Sequence, residues 1–431
     1  MKFFRNVLST FSAQLLVYVM TFATSIIIAR TLGRTGKGTL AALGTISMMA
    51  VTFGTFGQNF AATYFAARDK HRRRAIFTNI LVQSVFIGIA LAFALLVVQR
   101  LFPASIGNIS ARLFTIFIIQ VPFLYSTRLI AGFLLGREDI TAYNLLGIIS
   151  PVVSLAGLFV CLAVLHSGVF DAVCVYAAAA IIAAVAHLLF ALKNTKPTTE
   201  RDPNLAGDML RYGLKIYFNG IFFYLVIQSD ILLVNYFLGR AATGVYSITA
   251  QFAQILLILP MSAGAVLIPR LTRAPHDERL KIMRSMSRAM IVVMLLLIGA
   301  SLAVISPFIK LFFGARFLGA VEPTFILAPG LFLLSSMQVY AYYFSATGLP
   351  IQVPILWGLT FVINLVLNIF IIPRYGINGA AFSSTVSYAF IFLAMFLFTK
   401  RNTGSRTADL LFLRRTDISE IISIVRSAVQ K

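Results

Sequence analysis

Apolar positions along this chain come in continuous runs of about twenty residues or more, separated by short polar stretches rich in Lys, Arg, Gly and Pro. A run of that length suits a helix rising 1.5 Å per residue across the ~30 Å hydrocarbon layer of a bilayer. The runs predict helical spans at about 8–30, 39–64, 76–99, 112–135, 142–165, 169–192, 209–238, 243–268, 285–309, 322–347, 351–373 and 377–399. A membrane barrel would need alternating segments of ~10 residues, so the expected fold class is an all-α polytopic membrane protein with twelve transmembrane helices. The first run has a basic flank like that of a signal peptide. Its apolar part extends from Leu8 to Ala29, beyond the ~7–15 residues of such a leader, and no clear cleavage site follows, so it reads as a retained span.

The two halves echo each other. Leu32-Gly33-Arg34 followed by Gly38 returns as Leu238-Gly239-Arg240 followed by Gly244, about 206 residues later, and Gly147 to Gly168 aligns loosely with Gly358 to Gly379. Six spans in each half bring both halves into the membrane from the same side, which predicts two six-helix lobes related by a pseudo-two-fold along the membrane normal. The expected organisation is a lobe at 1–192, a linker at 193–208 with Pro197 and Pro203, a second lobe at 209–399 and a tail at 400–431. In the tail, Asp417 and Glu420 form a capping-box pattern before an apolar stripe of Ile418, Ile421, Ile422, Val425 and Val429, which predicts an interfacial helix. Pro122, Pro260 and Pro329 fall inside spans and predict bends.

Charge sets the orientation. Of the 36 Lys and Arg, against 14 Asp and Glu, most fall in alternate loops: Arg68 to Arg74, Arg137, Lys193 to Lys215, Arg270 to Arg288, and from Lys400 onward. The positive-inside rule then places both termini in the cytoplasm. The same rule accounts for much of the net charge of +22, so a nucleic-acid role does not follow from it. Cys161, Cys174 and the four His lack metal-ligand spacing, Gly33 to Gly38 has the wrong spacing for a phosphate-cradling ATPase loop, and no cofactor is implied.

One stretch combines spanning length with buried polarity. Tyr212 to Gly244 carries Lys215, Asn219, Gln228 and Asp230, groups that hydrocarbon penalises unless they face protein or water. Three segments, ARTLGRTGKGTLAAL, LLGREDITAYNLL and SDILLVNYFLGRAATGVYSITAQFAQILLILPMSAGAVLIPRLTR, resemble, in that order, the Wzx-type polysaccharide flippases of the multidrug/oligosaccharidyl-lipid/polysaccharide exporter superfamily. The resemblance implies a non-enzymatic transporter of the bacterial cytoplasmic membrane. It would move undecaprenyl-diphosphate-linked oligosaccharide, such as an O-antigen unit of lipopolysaccharide, to the outer leaflet, with other polysaccharide-assembly proteins as further partners.

A sugar diphosphate needs a polar path, because each unsatisfied polar group in hydrocarbon costs several kcal/mol. Candidate cavity residues are Arg128, Lys215, Asn219, Gln228, Asp230, Gln251, Gln254, Tyr342 and Tyr343, with further amides at Asn364 and Asn368. Interhelical amide bonds account for some of them equally well. Asp230 is the candidate for a coupling cation or a partner charge, Arg128 and Lys215 for capture of the diphosphate, and Lys215 also suits snorkelling to the interface. Two alternatives stand beside this reading. A drug exporter of the same superfamily would call for more carboxylates inside the spans, and a membrane-embedded polysaccharide-synthesis enzyme would call for a cluster of acids, bases or metal ligands.

Overall fold

The computed structural model describes residues 2–103, 109–198 and 204–412, and all side chains among them except those of 2–8, 219, 265 and 266. Among the described residues, nine helices are long and apolar enough to cross a membrane. Three of these, of 46, 54 and 52 residues, would extend about 70–80 Å if straight, more than twice the hydrocarbon thickness. Each is broken by one glycine with φ of 65°, 80° or 63°, at Gly33, Gly239 and Gly376. A side chain resists that region, and glycine enters it without a Cβ clash.

Side-chain bonds prove that the chain reverses at each break. Lys37 Nζ donates to Ser25 Oγ at 2.5 Å although twelve residues separate them, a distance of about 18 Å along a straight helix. Tyr246 bonds Asp230 across Gly239, and Asn364 bonds Ser384 across Gly376, over 16 and 20 residues. The three long helices are therefore hairpins, and the described residues form twelve membrane-length segments. They are α1 (2–32), α2 (34–54), α3 (Arg73–Leu101), α4 (Ala111–Gly136), α5 (Ile140–Val164), α6 (Val169–Asn194), α7 (205–238), α8 (240–273), α9 (His276–Phe312), α10 (Val321–Ala346), α11 (352–375) and α12 (377–403).

The all-α twelve-helix expectation holds, with two local differences. The predicted second span at 39–64 is interrupted: α2 ends at Gly54, Phe56 and Gly57 take φ of 43° and 72°, and a separate helix follows at Gln58–Arg68. Gly54 and Gly57 in quick succession weaken the helix, a signal hidden by the apolar run around them. Within α4 the helix pauses at Ile119, because Pro122 has no N–H to give the Ile118 carbonyl. Pro260 and Pro329 lie inside α8 and α10.

The surface of α3 shows what surrounds the protein. Val82, Val85, Phe86, Ile89 and Phe93 are exposed along one stripe, while Ile76, Phe77, Ile80, Ser84 and Gly88 are buried on the other. Large apolar side chains at this helical spacing on the outside, repeated on other helices, suit lipid and would aggregate in water. This is a multi-pass membrane protein.

Two compact units make up the chain. Among the described residues, one comprises those of 2–221 with 235–244, and the other 222–234 with 245–412. In the first unit, Phe77 and Phe133 stack with centroids 5.3 Å apart in a core that also buries Ile80, Tyr125 and Leu129. The same unit holds the repeated glycine motif in a reciprocal contact. A Cβ on Gly38 would lie 1.7 Å from the Arg240 carbonyl oxygen, and one on Gly244 would lie 2.0 Å from that of Arg34. Just beyond the end of α2, a Cβ on Gly57 would lie 2.1 Å from the Gly213 oxygen. Close by, Tyr64 stacks on Tyr212 at 4.3 Å. In the second unit, the segment after α12 docks on the start of α9 through Arg284 Nε to Ser405 Oγ at 2.9 Å and Ser287 Oγ to the Leu410 carbonyl at 3.1 Å. The interfacial helix expected around Asp417 and Glu420 lies outside the described residues.

Candidate functional site

The centre of the second unit is a buried carboxylate. Asp230 on α7 is 3% exposed, and its partners among the described residues are neutral. Tyr246 on α8 donates to Oδ2 at 3.0 Å, Ser384 on α12 donates to the same oxygen, and Asn368 on α11 donates to Oδ1 at 2.8 Å. Asn368 Nδ2 also reaches Asn364 Oδ1 at 3.0 Å, Ser229 donates to that oxygen at 3.4 Å, and Asn364 Nδ2 donates to Ser384 at 3.4 Å. Asn364, Asn368 and Ser384 are fully buried.

The two hairpins explain how the sequence brings these groups together. Asp230 and Tyr246 flank Gly239, and Asn368 and Ser384 lie symmetrically about Gly376, so residues at similar distances from a turn meet at similar depth. Seven to nine residues correspond to about 10–14 Å, well inside a ~30 Å layer. The four-residue spacing of Asn364 and Asn368 puts both amides on one face of α11. Hydrogen bonding to the charged form offsets part of the cost of burial, but no Lys, Arg or His balances the charge in the described cluster. Asn368 Oδ1 is itself buried without a hydrogen bond. The cluster thus sets a carboxylate held by neutral donors in the same group as an amide oxygen that accepts no hydrogen bond. Among the described residues no three His, Cys, Asp or Glu side chains come together, so oxygen donors of amide and hydroxyl type define the chemistry.

The other sequence candidates are dispersed. Gln228, Gln251 and Gln254 are half-buried in the same unit. Tyr342 donates its hydroxyl to the Pro260 carbonyl at 2.9 Å, bracing α10 against the proline-bearing turn of α8, and its ring fills the space where a Cβ on Gly264 would stand. Tyr343 is buried with its ring edge-on to Phe344. Arg128 and Lys215 belong to the first unit and are exposed there. The side chain of Asn219 lies outside the described ones. Tyr246, Ser384 and Ser229 are the cluster members that the pattern of spans does not flag, since a lone hydroxyl in an apolar run is ordinary. The signal that finds them is their depth relative to the turn glycines.

Residues 3–275 match the family described as polysaccharide biosynthesis protein. The chain belongs to that family. No curated protein matches it in sequence. Among solved structures it is similar to an inward-facing multidrug resistance MATE family transporter of the MOP superfamily, at 13% identity over 92% of this chain and 98% of that one, with a TM-score of 0.75. It is similar to the lipid II flippase MurJ in an inward closed conformation, at 14% identity over 93% and 88%, with a TM-score of 0.74. A MOP superfamily transporter from Pyrococcus furiosus, described as having a binding pocket of reverse polarity, aligns at 14% identity over 93% and 95%, with a TM-score of 0.63. At these identities the likeness establishes the fold, which this member of the polysaccharide biosynthesis family shares with transporters of the MOP superfamily.

Proposed function

We propose that the protein flips an undecaprenyl-diphosphate-linked oligosaccharide from the inner to the outer leaflet of the bacterial cytoplasmic membrane, for assembly of a surface polysaccharide. The observation that carries this reading is the family match over 3–275 on a chain with a transporter fold. In this reading the Asp230 cluster binds the coupling cation, whose occupancy balances the buried charge and biases the lobes between states. The test is flipping of a fluorescent lipid-linked oligosaccharide in proteoliposomes. Faster flipping than in protein-free vesicles is expected, and an unchanged rate would retire the proposal. Export of cationic drugs is the second reading, favoured by the TM-score of 0.75 to a multidrug transporter. Expulsion of a cationic dye with no lipid flipping would select it.

Two expectations follow from the charge distribution. With both termini in the cytoplasm, reporter fusions after Asp202 and after Lys400 should both give a cytoplasmic signal, and an external signal at either position contradicts the topology. Arg128 sits in α4 about 12 Å before its Gly136 end and is exposed there. As a forked cation for phosphate oxygens it contributes about 1.5–3 kcal/mol, so Arg128→Ala is expected to slow flipping roughly tenfold or more and Arg128→Lys to restore part of the loss. An unchanged rate in the alanine variant, at matched protein levels, leaves Arg128 with a packing role.

A further inference from the structure

One end of the first unit gathers cations into a basin of about 440 Å³, lined by Lys70, Arg73, Arg74, Arg137, Lys193 and Lys196 together with Asn194 and Thr195. These residues come from the α2–α3 loop and the first turn of α3, from the end of α4, and from the end of α6. The positive-inside rule requires such residues at this end of each helix but does not require them to converge, and like charges brought together repel.

The structure fixes the convergence with bonds of its own. Arg73 Nε donates to the Ala66 carbonyl at 2.9 Å. Arg137 donates to the Asn194 carbonyl at 3.2 Å and to Thr195 Oγ1, and its Nε lies 2.9 Å from Asp139 Oδ2. Thr198 N donates to Thr78 Oγ1 at 2.9 Å, which ties the strand of chain leaving α6 to α3. The two half-buried guanidinium groups are thus immobilised, while Lys70, Arg74, Lys193 and Lys196 remain exposed around them. Among the described residues, two nearby acids are already engaged, Asp139 with Arg137 and Asp69 with the His71 and Arg72 amides and the Arg72 side chain, while Glu138 beside Arg137 is exposed, and the cations around the basin outnumber these acids.

The electrostatics of α3 add a second argument. Its first turn holds no acid and begins with Arg73 and Arg74, and its N-cap residue supplies no side-chain cap. Cations at a helix N-terminus oppose the helix dipole, whereas an anion there is favoured by both the dipole and the unpaired amides. An anion seated in the basin would relieve the repulsion and the dipole conflict together.

We infer that this basin is a binding site for a phosphate-bearing anion, distinct from the Asp230 cluster, at the membrane face where the α2–α3, α4–α5 and α6–α7 loops emerge. Its shared chemistry fits two sources, the diphosphate of a lipid carrier and the headgroup of an acidic phospholipid. Assigning the carrier rests on the flippase reading; the anion site itself does not.

The test uses full-length protein in neutral detergent, titrated calorimetrically with inorganic pyrophosphate at about 0.15 M ionic strength, where exposed charges act only over ~8 Å. Saturable binding is expected in the parent protein, and at least tenfold weaker binding in the Lys70→Gln/Arg74→Gln/Lys196→Gln variant. Those three side chains are exposed, and the melting temperature of the variant checks its fold. Arg74→Lys alone should retain affinity within a few-fold, since it keeps the charge. Displacement of pyrophosphate by phosphatidylglycerol but not by phosphatidylcholine identifies bulk lipid as the source, and displacement by undecaprenyl diphosphate alone identifies the carrier. Absence of saturable binding to the parent protein, or equal affinity in the triple variant, overturns the site. Because the readout is binding, a failed flipping assay would leave the result standing, and the two proposals fail separately.

Discussion

Asp230→Asn is expected to abolish the dependence of transport on an ion gradient while leaving the protein folded. The substitution preserves shape, and an asparagine oxygen still accepts from Tyr246, Ser384 or Asn368, the three donors that hold Asp230. What it removes is the charge. At an effective dielectric constant near 20, a unit charge ~4 Å away is worth about 4 kcal/mol, which corresponds to roughly a thousandfold in cation affinity. Gradient-driven flipping in proteoliposomes should fall at least about tenfold, with thermal unfolding shifted by less than the effect of Asp230→Ala. The alanine variant strands the donors of Ser384 and Asn368 in the interior, each at about 1–3 kcal/mol. Equal rates with and without the gradient are the predicted signature of Asp230→Asn, and persistence of the parent's gradient dependence would remove the coupling role.

Gly38→Val should prevent the turn between α1 and α2 from meeting the turn between α7 and α8. The added Cβ would start 1.7 Å from the Arg240 carbonyl oxygen, whereas even favourable carbon–oxygen contacts sit near 3.3 Å, so the backbones must part by more than an ångström. Overpacking of this kind costs about 1–3 kcal/mol, enough to shift a conformational equilibrium by roughly 5- to 150-fold. Spin labels at Thr35 and Ala241, both exposed, should report a longer distance distribution in Gly38→Val and in Gly244→Val, together with slower transport. Gly44→Ala is the control: nothing lies within 4 Å of a Cβ there, and alanine in a helix gains about 0.5–1 kcal/mol over glycine. Distances unchanged in the valine variants would show that the contact absorbs the added side chain without parting.

The fold was readable from the residues because hydrocarbon imposes a length on every span and leaves the helix as the local solution. The repeat of Leu-Gly-Arg before a second glycine marked two of the three hairpins, and Gly33 and Gly239 occupy equivalent turns with φ of 65° and 80°. The break at Gly54 to Gly57 escaped, since apolar content continues through it. Asp230 stood out because an acid in a span is costly. Its partners Tyr246 and Ser384 did not, because hydroxyls can satisfy themselves on their own helix, as Thr399 does on the Met395 carbonyl. Likewise, the cations around Arg137 could be read as topology signals, but their convergence on one basin depends on which loops fold side by side.

The close approaches at Gly38 and Gly57 are made by backbone against backbone. Glycine has no side chain to freeze, so closing such a contact costs no rotamer entropy, and opening it exposes little apolar surface. Gly38 with Gly244, and Gly57 with Gly213, are therefore close contacts that order no side chain. Such a contact needs no side chain to change rotamer, and an added Cβ at Gly38, Gly244 or Gly57 meets backbone at 1.7–2.1 Å, so one methyl group is enough to hold the two backbones apart.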